Sequence, residues 1–489
     1  MYRLRSSLLT ISLVGAACQG IGEAALSQGT VTAYPAPNGI ESSPDYEVTV
    51  GGKAIFVHKT PAFSLATFAV KGDVAVALDV HRPIKCPVIR PLSRGIKPVV
   101  DGNKLRFHIQ RPCQLAIEVD EDLRRPLFLF ANAPEAQPTR PDTPGVRYFE
   151  GGRVHEVGRI ELKDRETLYL AGGAVVRAVI RAKNVSSARI LGPGILDGST
   201  RDKQTKMIQL DNCTDIEING PIVLGSYGWT IVPRHSENVH LRNVKVLSWR
   251  ENDDGCDPDS SRHVTVDNCF FRTKDDCISV KAHGNAGVAG ETTTGDPNAF
   301  NTDDVRVSNS IFWSSQWGHA LTVGFAIRAP VVRNVVFSHC DIIKKEKGPA
   351  LSVDNHDLGS VDGVRFEDIR VEDGCDKLLA VKVAFSEYSA DCPIEYFRNN
   401  LARKPPKGEE WLKILREKQS SRRGTIRNVV FKDIQISGDR LPESEILGFS
   451  PQNEVSDVVF QNIRFQGRAL TSPPEAHLRI QNAANVRFE

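Results

Sequence analysis

A short unit repeats along most of the chain and limits the folds that the chain can adopt. The unit is an apolar residue, a variable residue, a turn residue and a second apolar residue. Glycine, asparagine, aspartate or histidine fills its turn position at 192, 220, 243, 268, 309, 339, 368, 433 and 462. Most steps between these positions are 23 to 30 residues, and the two longer steps indicate insertions. A period of this length with short β-type segments predicts a parallel β-helix.

The residue after each turn position is predicted to point into the coil. These residues are Val244, Cys269, Ser310, Cys340, Ile369, Ile434 and Ile463. The two cysteines are therefore interpreted as small core residues rather than redox groups. The insertions are a Gly/Thr-rich loop, Asn285 to Asn301, and a basic segment, Glu395 to Arg423, that contains the helical run Glu409 to Lys418. The second either borders a binding groove or is a solvated surface excursion.

The N-terminal part has a different pattern. Leu105, Phe107 and Ile109 alternate with polar residues, and the same alternation recurs ten residues later. Alternation with regular turn signals predicts a β-sandwich. Four prolines between 134 and 144 indicate a boundary. We therefore predict an all-β chain with a small β-sandwich domain at 28–140 and a right-handed parallel β-helix catalytic domain at 141–489.

The first residues have the form of a secretory signal. Arg3 and Arg5 precede an apolar run, Leu8 to Cys18, that is too short to span a bilayer. Residues 1–27 are predicted to be removed on export, so the protein is expected to be secreted or periplasmic with no integral membrane segment. Lipid anchoring through Cys18 is a weaker alternative, because Gly15 is a poor residue for such a signal.

Charge and cysteine content exclude several classes of protein. Lys plus Arg is 62 and Asp plus Glu is 60, so no nucleic-acid partner is predicted. Export permits disulfides, and Cys375 with Cys392 and Cys86 with Cys113 are the pairs to test first. No CxxC spacing occurs, which argues against a cysteine-based zinc site. We predict no metal and no cofactor.

Alignment of the coils brings acidic residues into one row. Gly228, Asp254, Asp276, His319 and Pro349 are predicted to stack across five coils, about 4.8 Å apart. Two carboxylates at that spacing are costly unless a ligand, a metal or shifted pKa values compensate. Glycoside hydrolysis needs such a cluster, because one carboxyl protonates the leaving oxygen and another activates water.

The motifs around this row resemble a known family. Asn252 to Asp257, Asp275-Asp276-Cys277 and Gly318-His319 look like the signature of polygalacturonases, glycoside hydrolase family 28, and Leu191 to Gly198 is similar to its early Gly-rich coil. The resemblance covers roughly residues 145 to 470. The preceding sandwich looks more like the related dextranase family, glycoside hydrolase family 49. The chain thus resembles this clan of right-handed β-helix hydrolases.

The resemblance implies a role for each catalytic residue. Asp275 would be the general acid, Asp254 and Asp276 would hold the attacking water as bases, and His319 would support their protonation states. The implied mechanism inverts the anomeric centre. The resemblance also implies a polysaccharide or oligosaccharide as the substrate partner and the activity of a glycoside hydrolase that acts on O-glycosyl bonds.

Two departures from the family pattern matter for specificity. Asp253 stands where the family usually has threonine, with no clear consequence in the sequence. Ser352 and Asp354 replace an arginine and a lysine that bind the sugar carboxylate of polygalacturonate. Lys281 is predicted to lie in the row of Asp354, so some positive charge remains. We predict a neutral or differently substituted sugar at this subsite and weak or no action on unesterified polygalacturonate.

Aromatic, basic and polar residues near the row are predicted to line a sugar cleft. They are Trp229, Arg234, His235, Lys281, Trp317, Arg328, Asp354 and His356. Two other functions stay open. One is a Ca²⁺-dependent polysaccharide lyase of the same fold, with Lys281 or Arg328 as the base. The other is a carbohydrate-binding solenoid without catalysis. The sequence does not give the sugar, the linkage, endo or exo action, or the oligomeric state.

Overall fold

The computed structural model describes residues 29–284, 301–391 and 423–489, apart from residues 121, 138, 375 and 387. Regular structure in this part of the chain is almost entirely β-strand, with one short 3-10 helix, Leu92–Arg94. None of its helices is long and apolar enough to cross a membrane. The predicted signal segment, the helical run Glu409 to Lys418 and the pair Cys375 with Cys392 lie outside the described residues.

Two sheets face each other in the N-terminal part. The strands are β1 Thr30–Ala33, β2 Tyr46–Val50, β3 Lys53–Ile55, β4 Val57–Lys59, β5 Ser64–Lys71, β6 Val74–Val80, β7 Val88–Arg90, β8 Val99–Asp101, β9 Lys104–Ile109, β10 Cys113–Glu118 and β11 Leu127–Asn132. One sheet has the order β1-β5-β11-β10-β7 with β4 on β5, and the other has the order β3-β2-β6-β9-β8. All pairs are antiparallel except β5 with β11. Strand β9 alternates exposed and buried residues, as predicted from its period of two.

From Val146 onward the chain winds into parallel coils. The first strands are β12 Val146–Phe149, β13 Val154–Glu161, β14 Thr167–Leu170, β15 Val175–Lys183, β16 Arg189–Leu191, β17 Ile195–Asp197, β18 Ile208–Asp211, β19 Thr214–Asn219, β20 Ile222–Leu224, β21 Ile231–Arg234, β22 Glu237–Arg242, β23 Lys245–Leu247, β24 Arg262–Asp267, β25 Phe270–Thr273 and β26 Ile278–Ala282. The later strands are β27 Thr302–Ser308, β28 Ile311–Ser314, β29 Leu321–Ile327, β30 Val331–Lys345, β31 Pro349–Asn355, β32 Ser360–Val371, β33 Lys377–Val383, β34 Ile426–Ile436, β35 Glu443–Leu447, β36 Val455–Gln461, β37 Arg464–Phe465, β38 Arg468–Ala469, β39 Leu478–Gln481 and β40 Ala483–Phe488. The predicted fold class, a parallel β-helix after a β-sandwich, is confirmed. The predicted boundary at residue 141 falls between β11 and β12.

The repeat seen in the sequence marks a backbone corner. All nine turn positions, 192, 220, 243, 268, 309, 339, 368, 433 and 462, have φ between +49° and +98°. This left-handed region favours glycine and, among other residues, asparagine, aspartate and histidine, which explains the residue choice. The residues that follow these corners are buried, as predicted, including Cys269 and Cys340 at 0% exposure.

A separate hydrophobic layer joins the sandwich to the helix. Phe128 and Phe130 of β11 contact Phe270 edge to face, with ring centroids 5.3 Å apart in both pairs. Phe128 also meets Trp313 at 5.7 Å. All four aromatic side chains are fully buried. The sandwich therefore packs on one outer face of the β-helix through its own apolar cluster.

The predicted disulfide between Cys86 and Cys113 is wrong, since both are free thiols. The backbone N–H of Cys86 donates to the carbonyl of Val119, beyond the far end of β10, whereas Cys113 begins that strand. Six residues of strand span roughly 20 Å. A disulfide requires Cα atoms within about 7 Å.

Candidate active site

The sheet that carries the acidic residues aligns them in one row. Cys256 pairs with Ile278, Ile278 with Leu321, and Leu321 with Leu351. Asp254, Asp276, His319 and Pro349 each precede these residues by two positions, so they stack as predicted. The placement of Gly228 is wrong by one residue. Ile231 pairs with Cys256, which puts Trp229 in the row instead.

His319 and Asp276 form the most tightly bonded pair of the cluster. One oxygen of Asp276 accepts hydrogen bonds from the backbone N–H of His319 at 2.6 Å and lies 2.9 Å from its Nδ1. Burial alone would raise the pKa of Asp276, but the His319 charge and hydrogen bonds hold it below its usual range. Burial opposes the charge on His319, yet Asp276 and Asp354 raise the pKa of His319 to about 9. The pair is therefore an ionised carboxylate against an imidazolium.

The pKa of Asp275, the residue before Asp276, shifts in the opposite direction. Burial, and then the neighbouring charges of Asp276 and Asp253, raise the pKa of Asp275 to about 6. Its Oδ1 accepts the backbone N–H of Asp276 at 3.0 Å, and the side chain is partly exposed. Adjacent carboxyls thus have pKa values moved apart, which is how acid and base roles are separated in enzyme sites.

Gly318 lets the two carboxyls come together. A Cβ at this residue would lie 2.4 Å from Oδ1 of Asp276 and 2.5 Å from Oδ1 of Asp275. Its φ of +60° also lies in the left-handed region. Any larger side chain would displace both carboxyls, which explains the glycine before His319.

Asp253 holds the turn that presents Asp275. It is fully buried, and its Oδ1 accepts the backbone N–H groups of Lys274 at 2.8 Å and Asp275 at 2.9 Å. Its Oδ2 accepts the N–H of Arg250 at 3.1 Å. Because aspartate replaces the threonine that is usual in the family, two carboxylate oxygens accept hydrogen bonds from three backbone N–H groups. The sequence showed the substitution but not these partners.

Lys281 lies between two buried carboxylates. Its Nζ is 2.8 Å from Oδ2 of Asp254 and 2.9 Å from Oδ2 of Asp257. Burial works against its charge, but the two aspartates raise its pKa above the usual range. Burial and neighbouring carboxylates raise the pKa of Asp254, and they raise that of Asp257 to about 7. One ammonium group thus pairs with two carboxyl groups. Asp257 is part of the acidic cluster, although the sequence analysis assigned it no role.

Lys281 and Asp354 have different partners. Val280, Val323 and Val353 align and Gly324 pairs with Asp354, but the register between β26 and β29 shifts between Val280 and Ala282, so the predicted row of Lys281 with Asp354 is interrupted at Lys281. Lys281 turns back to the acidic cluster. Asp354 instead accepts the Ser352 hydroxyl at 3.1 Å and lies 3.5 Å from His319 and 3.4 Å from Lys382. Burial would raise the pKa of Asp354, but Lys382 and His319 hold it far below its usual range.

Aromatic rings lie beside Asp354. Phe325 stacks on His356 with ring centroids 5.2 Å apart and meets Tyr388 at 5.0 Å. Tyr388 is 48% exposed. Burial lowers the pKa of His356 to about 4, so this imidazole is neutral beside Asp354. Phe325 and Tyr388 were missed in the sequence because their coils carry no turn or motif signal that points to the cleft.

The other predicted sugar-binding residues are dispersed around the row. Arg234 lies 3.8 Å from Asp259, and His235 contacts the carbonyl of Gly284 at 2.7 Å. Trp317 is 51% exposed beside Lys347. Arg328 is buried, 3.5 Å from Asp357, and donates to the carbonyl of Tyr388 at 3.1 Å. Among the described residues no group of three or more acidic, histidine or cysteine side chains is arranged to hold a metal ion.

Known proteins resemble the chain in sequence. The profile of "Glycosyl hydrolases family 28" matches residues 172–378. A probable polygalacturonase of Vitis vinifera is 29% identical over 87 residues, 17% of this chain and 18% of that protein. A probable endo-xylogalacturonan hydrolase A of Aspergillus fumigatus is 21% identical over 255 residues, 46% of this chain. The chain spans 56% of the length of this second relative.

Solved structures show how far the fold extends. Dex49A from Penicillium minioluteum superposes with a TM-score of 0.65 at 13% identity, over 94% of this chain and 96% of that one. The chain shares the fold of the β-helix hydrolases. A family 28 exopolygalacturonase of Yersinia enterocolitica gives a TM-score of 0.53 at 12% identity, over 94% and 93% of the two chains. The resemblance to this clan predicted from the motifs is confirmed.

Proposed function

We propose that the protein is a glycoside hydrolase that cleaves a polysaccharide or oligosaccharide with inversion. The observation that carries the proposal is the contrast between adjacent carboxyls. Asp275 has a pKa near 6, while Asp276 is held ionised by His319. The family 28 match over residues 172–378 includes this region and supports the same chemistry.

The reaction follows from these protonation states. Protonated Asp275 donates its proton to the glycosidic oxygen as the bond from that oxygen to the anomeric carbon breaks. Asp276 accepts a proton from the water whose oxygen bonds to the anomeric carbon. Asp254 orients that water, and Lys281 neutralises part of the charge of Asp254 and Asp257. His319 keeps Asp276 ionised.

The test uses Asp275→Asn, which keeps the shape of the side chain but cannot donate the proton. Purified protein is assayed for new reducing ends on neutral and acidic polysaccharides. We expect the variant to lose roughly 10²–10⁴-fold in kcat with an unchanged melting temperature. Asp439→Asn, the same change at an exposed carboxylate, is the matched control. Activity of Asp275→Asn within a few fold of wild type would remove the acid role.

Product stereochemistry, read by early-time NMR, tests the water-mediated step. Inverting pairs usually lie about 6.5–9.5 Å apart. The Oδ1 atoms of Asp275 and Asp276 both lie within 2.5 Å of the position that a Cβ on Gly318 would take, which is a closer approach. Inversion is nevertheless the expected outcome, because it is the stereochemistry that the resemblance to family 28 implies, and Asp276 then acts on water rather than on the sugar. An inverted product supports the proposal, and a retained one overturns it.

The substrate is proposed to be uncharged at the subsite beside Asp354. Asp354 is ionised and buried, and a sugar carboxylate placed next to it would meet a like charge. Lys382 supplies an ammonium here, but it already lies 3.4 Å from Asp354. We expect weak or no turnover of unesterified polygalacturonate. Efficient hydrolysis of that polymer by the wild-type protein would contradict this specificity.

The alternatives have less support. A lyase would need a neutral base, whereas Lys281 is charged between two carboxylates and Arg328 lies beside Asp357. An ultraviolet-absorbing unsaturated product would favour the lyase. Binding that persists without any turnover would favour a non-catalytic solenoid. Export through residues 1–27 and the domain limits at 28–140 and 141–489 stay predictions.

A further inference from the structure

A polar cavity lies on the N-terminal side of the acidic cluster. Its volume is about 320 Å³, at the lower end of the range for small-ligand sites. The residues that line it include Arg181, Gln204, Thr205, Lys206, Gln209 and Trp229. None of the lining residues is acidic, in contrast to the cluster that surrounds Asp254.

The cavity belongs to the same row as the catalytic residues. Ile208 of β18 pairs with Ile231 of β21, which in turn pairs with Cys256. Lys206, two positions before Ile208, therefore stacks in line with Trp229, Asp254 and Asp276. Three coil spacings separate Lys206 from Asp276, or roughly 14 Å along the axis. A sugar chain that lies across the acidic cluster along this row would reach the cavity.

Two cations without a carboxylate partner define the charge of the cavity. Within the described part of the chain, neither Lys206 nor Arg181 has an acidic oxygen within ion-pair distance. Arg181 donates to the carbonyl of Ile180 and the hydroxyl of Thr205, both at 2.9 Å. The Lys206 ammonium lies 5.1 Å from the centre of the Trp229 ring.

Burial makes these cations receptive to an anion. Burial, and then the charge of Arg234, lowers the pKa of Lys206, while the charges of Asp259, Asp211 and Asp257 have smaller effects in the other direction. A partly desolvated ammonium regains stabilisation when a carboxylate binds it directly. Gln204, Gln209 and the Thr205 hydroxyl add neutral polar groups suited to sugar hydroxyls.

The two sides of the cleft therefore carry charges of opposite sign. The C-terminal side presents the ionised Asp354 with Phe325 and neutral His356, whereas the N-terminal side presents Arg181 and Lys206. We propose that this cavity, the Lys206 pocket, is a subsite for a carboxylate-bearing sugar of the substrate. The favoured substrates are chains in which a uronic acid binds here and an uncharged sugar binds beside Asp354. This inference rests on the proposed hydrolase function, whose cleft it extends.

The experiment measures binding without turnover. Calorimetry on the Asp275→Asn variant compares two probes: a tetrasaccharide in which galacturonic acid alternates with an uncharged hexose, and the same tetrasaccharide with its carboxyl groups reduced. Adding Lys206→Met should weaken binding of the acidic probe by about tenfold to a hundredfold, the range of one charge-assisted hydrogen bond. The reduced probe should bind both proteins equally well.

Matched variants keep the result interpretable. Arg181→Met should show the same selectivity for the acidic probe, and it replaces Lys206→Met if that protein fails to fold. Lys203→Met removes the same charge from an exposed residue outside the pocket and should change neither affinity. Equal losses for both probes, no loss for either, or no binding of the acidic probe would overturn the proposal.

The outcomes also separate this inference from the proposed function. If Lys206→Met selectively weakens binding of the acidic probe but the wild-type protein hydrolyses no polysaccharide, the proposed subsite is supported and the proposed hydrolase function is rejected. Hydrolysis by the wild type combined with unchanged affinities in Lys206→Met would do the reverse.

Discussion

His319 controls the protonation of the acidic cluster through contacts on both sides. Its Nδ1 lies 2.9 Å from Asp276, and its Nε2 lies 3.5 Å from Asp354. Asp354 therefore contributes to the catalytic charge pattern as well as to the subsite. Asp354→Lys would introduce the lysine of the family 28 pattern, but it would also put a cation beside His319 and Lys382. We expect it to harm catalysis before it improves uronate binding.

The pKa values of the cluster predict an activity profile on the acid side of neutrality. The general acid must be protonated, so kcat/KM should fall as pH rises through about 6, the pKa of Asp275. Asp276 must be ionised, and its lowered pKa keeps activity present well below that pH. His319, with a pKa of about 9, stays charged over the pH range of both transitions.

A pH–rate profile from pH 3 to 9 checks this expectation. In His319→Gln the cation that lowers the pKa of Asp276 is lost, so the acidic limb should move to higher pH while the alkaline limb moves less. An activity maximum above pH 8 in the wild type would contradict the assignment of Asp275 as the acid.

At the scale of elements, stacked side chains repeat from coil to coil. Phe337, Phe366, Phe431, Phe460 and Phe488 form a ladder whose neighbouring ring centroids lie 5.0, 5.0, 5.2 and 4.6 Å apart. The rings are nearly parallel because each strand pairs with the next in strict register. Phe337, Phe366, Phe431 and Phe460 belong to the buried core of the β-helix, and Phe488 packs against it at the C-terminal end.

Truncation in the middle of this ladder should cost more than truncation at its end. Phe366→Ala removes a ring that is fully buried between two others and should destabilise the protein by about 3–5 kcal/mol. Phe488 is half-buried and has a single ring neighbour in the ladder, so Phe488→Ala should cost clearly less. Denaturant unfolding measures both. Equal losses would show that the ladder is not a continuous core.

The sequence predicted the structural features that depend on the repeat period. It did not predict the features that depend on which side chains contact each other. The corners at Asn243 and Asn268 were visible because few residues tolerate positive φ. The row from Asp254 to His319 was predicted by aligning the coils at these corners. Gly228 was misplaced by one residue because an alignment of corners does not fix the strand pairing of Ile231 with Cys256. The direction of the Lys281 ammonium depends on which carboxylates surround it, and a count of residues does not contain that information.

At the scale of the whole molecule, buried charges link the sandwich to the β-helix. Glu118 of β10 lies 2.6 Å from Arg90 and 2.9 Å from Lys344 of β30. Arg90 also lies 2.9 Å from Glu372, which accepts the N–H of Leu92. Together with the aromatic layer around Phe128, this network crosses the junction between the two parts. The sandwich is therefore a supporting element for the coils that carry the active site, and its removal would expose both apolar surface and unpaired charges.

Glu118→Ala tests whether the two parts are one folding unit. The change removes the carboxylate that Arg90 and Lys344 share, but Arg90 keeps Glu372 at 2.9 Å and Lys344 keeps Asp373 at 3.3 Å. We therefore expect a cost of about 1.5–3 kcal/mol, that of a lost hydrogen bond to a charged group. Glu150→Ala breaks an exposed pair with Arg153 and should cost about 1 kcal/mol or less. Calorimetry should show a single unfolding transition that moves to lower temperature in Glu118→Ala. Two transitions in the wild type, with only the earlier one sensitive to Glu118, would mean that the sandwich and the β-helix unfold independently despite their buried junction.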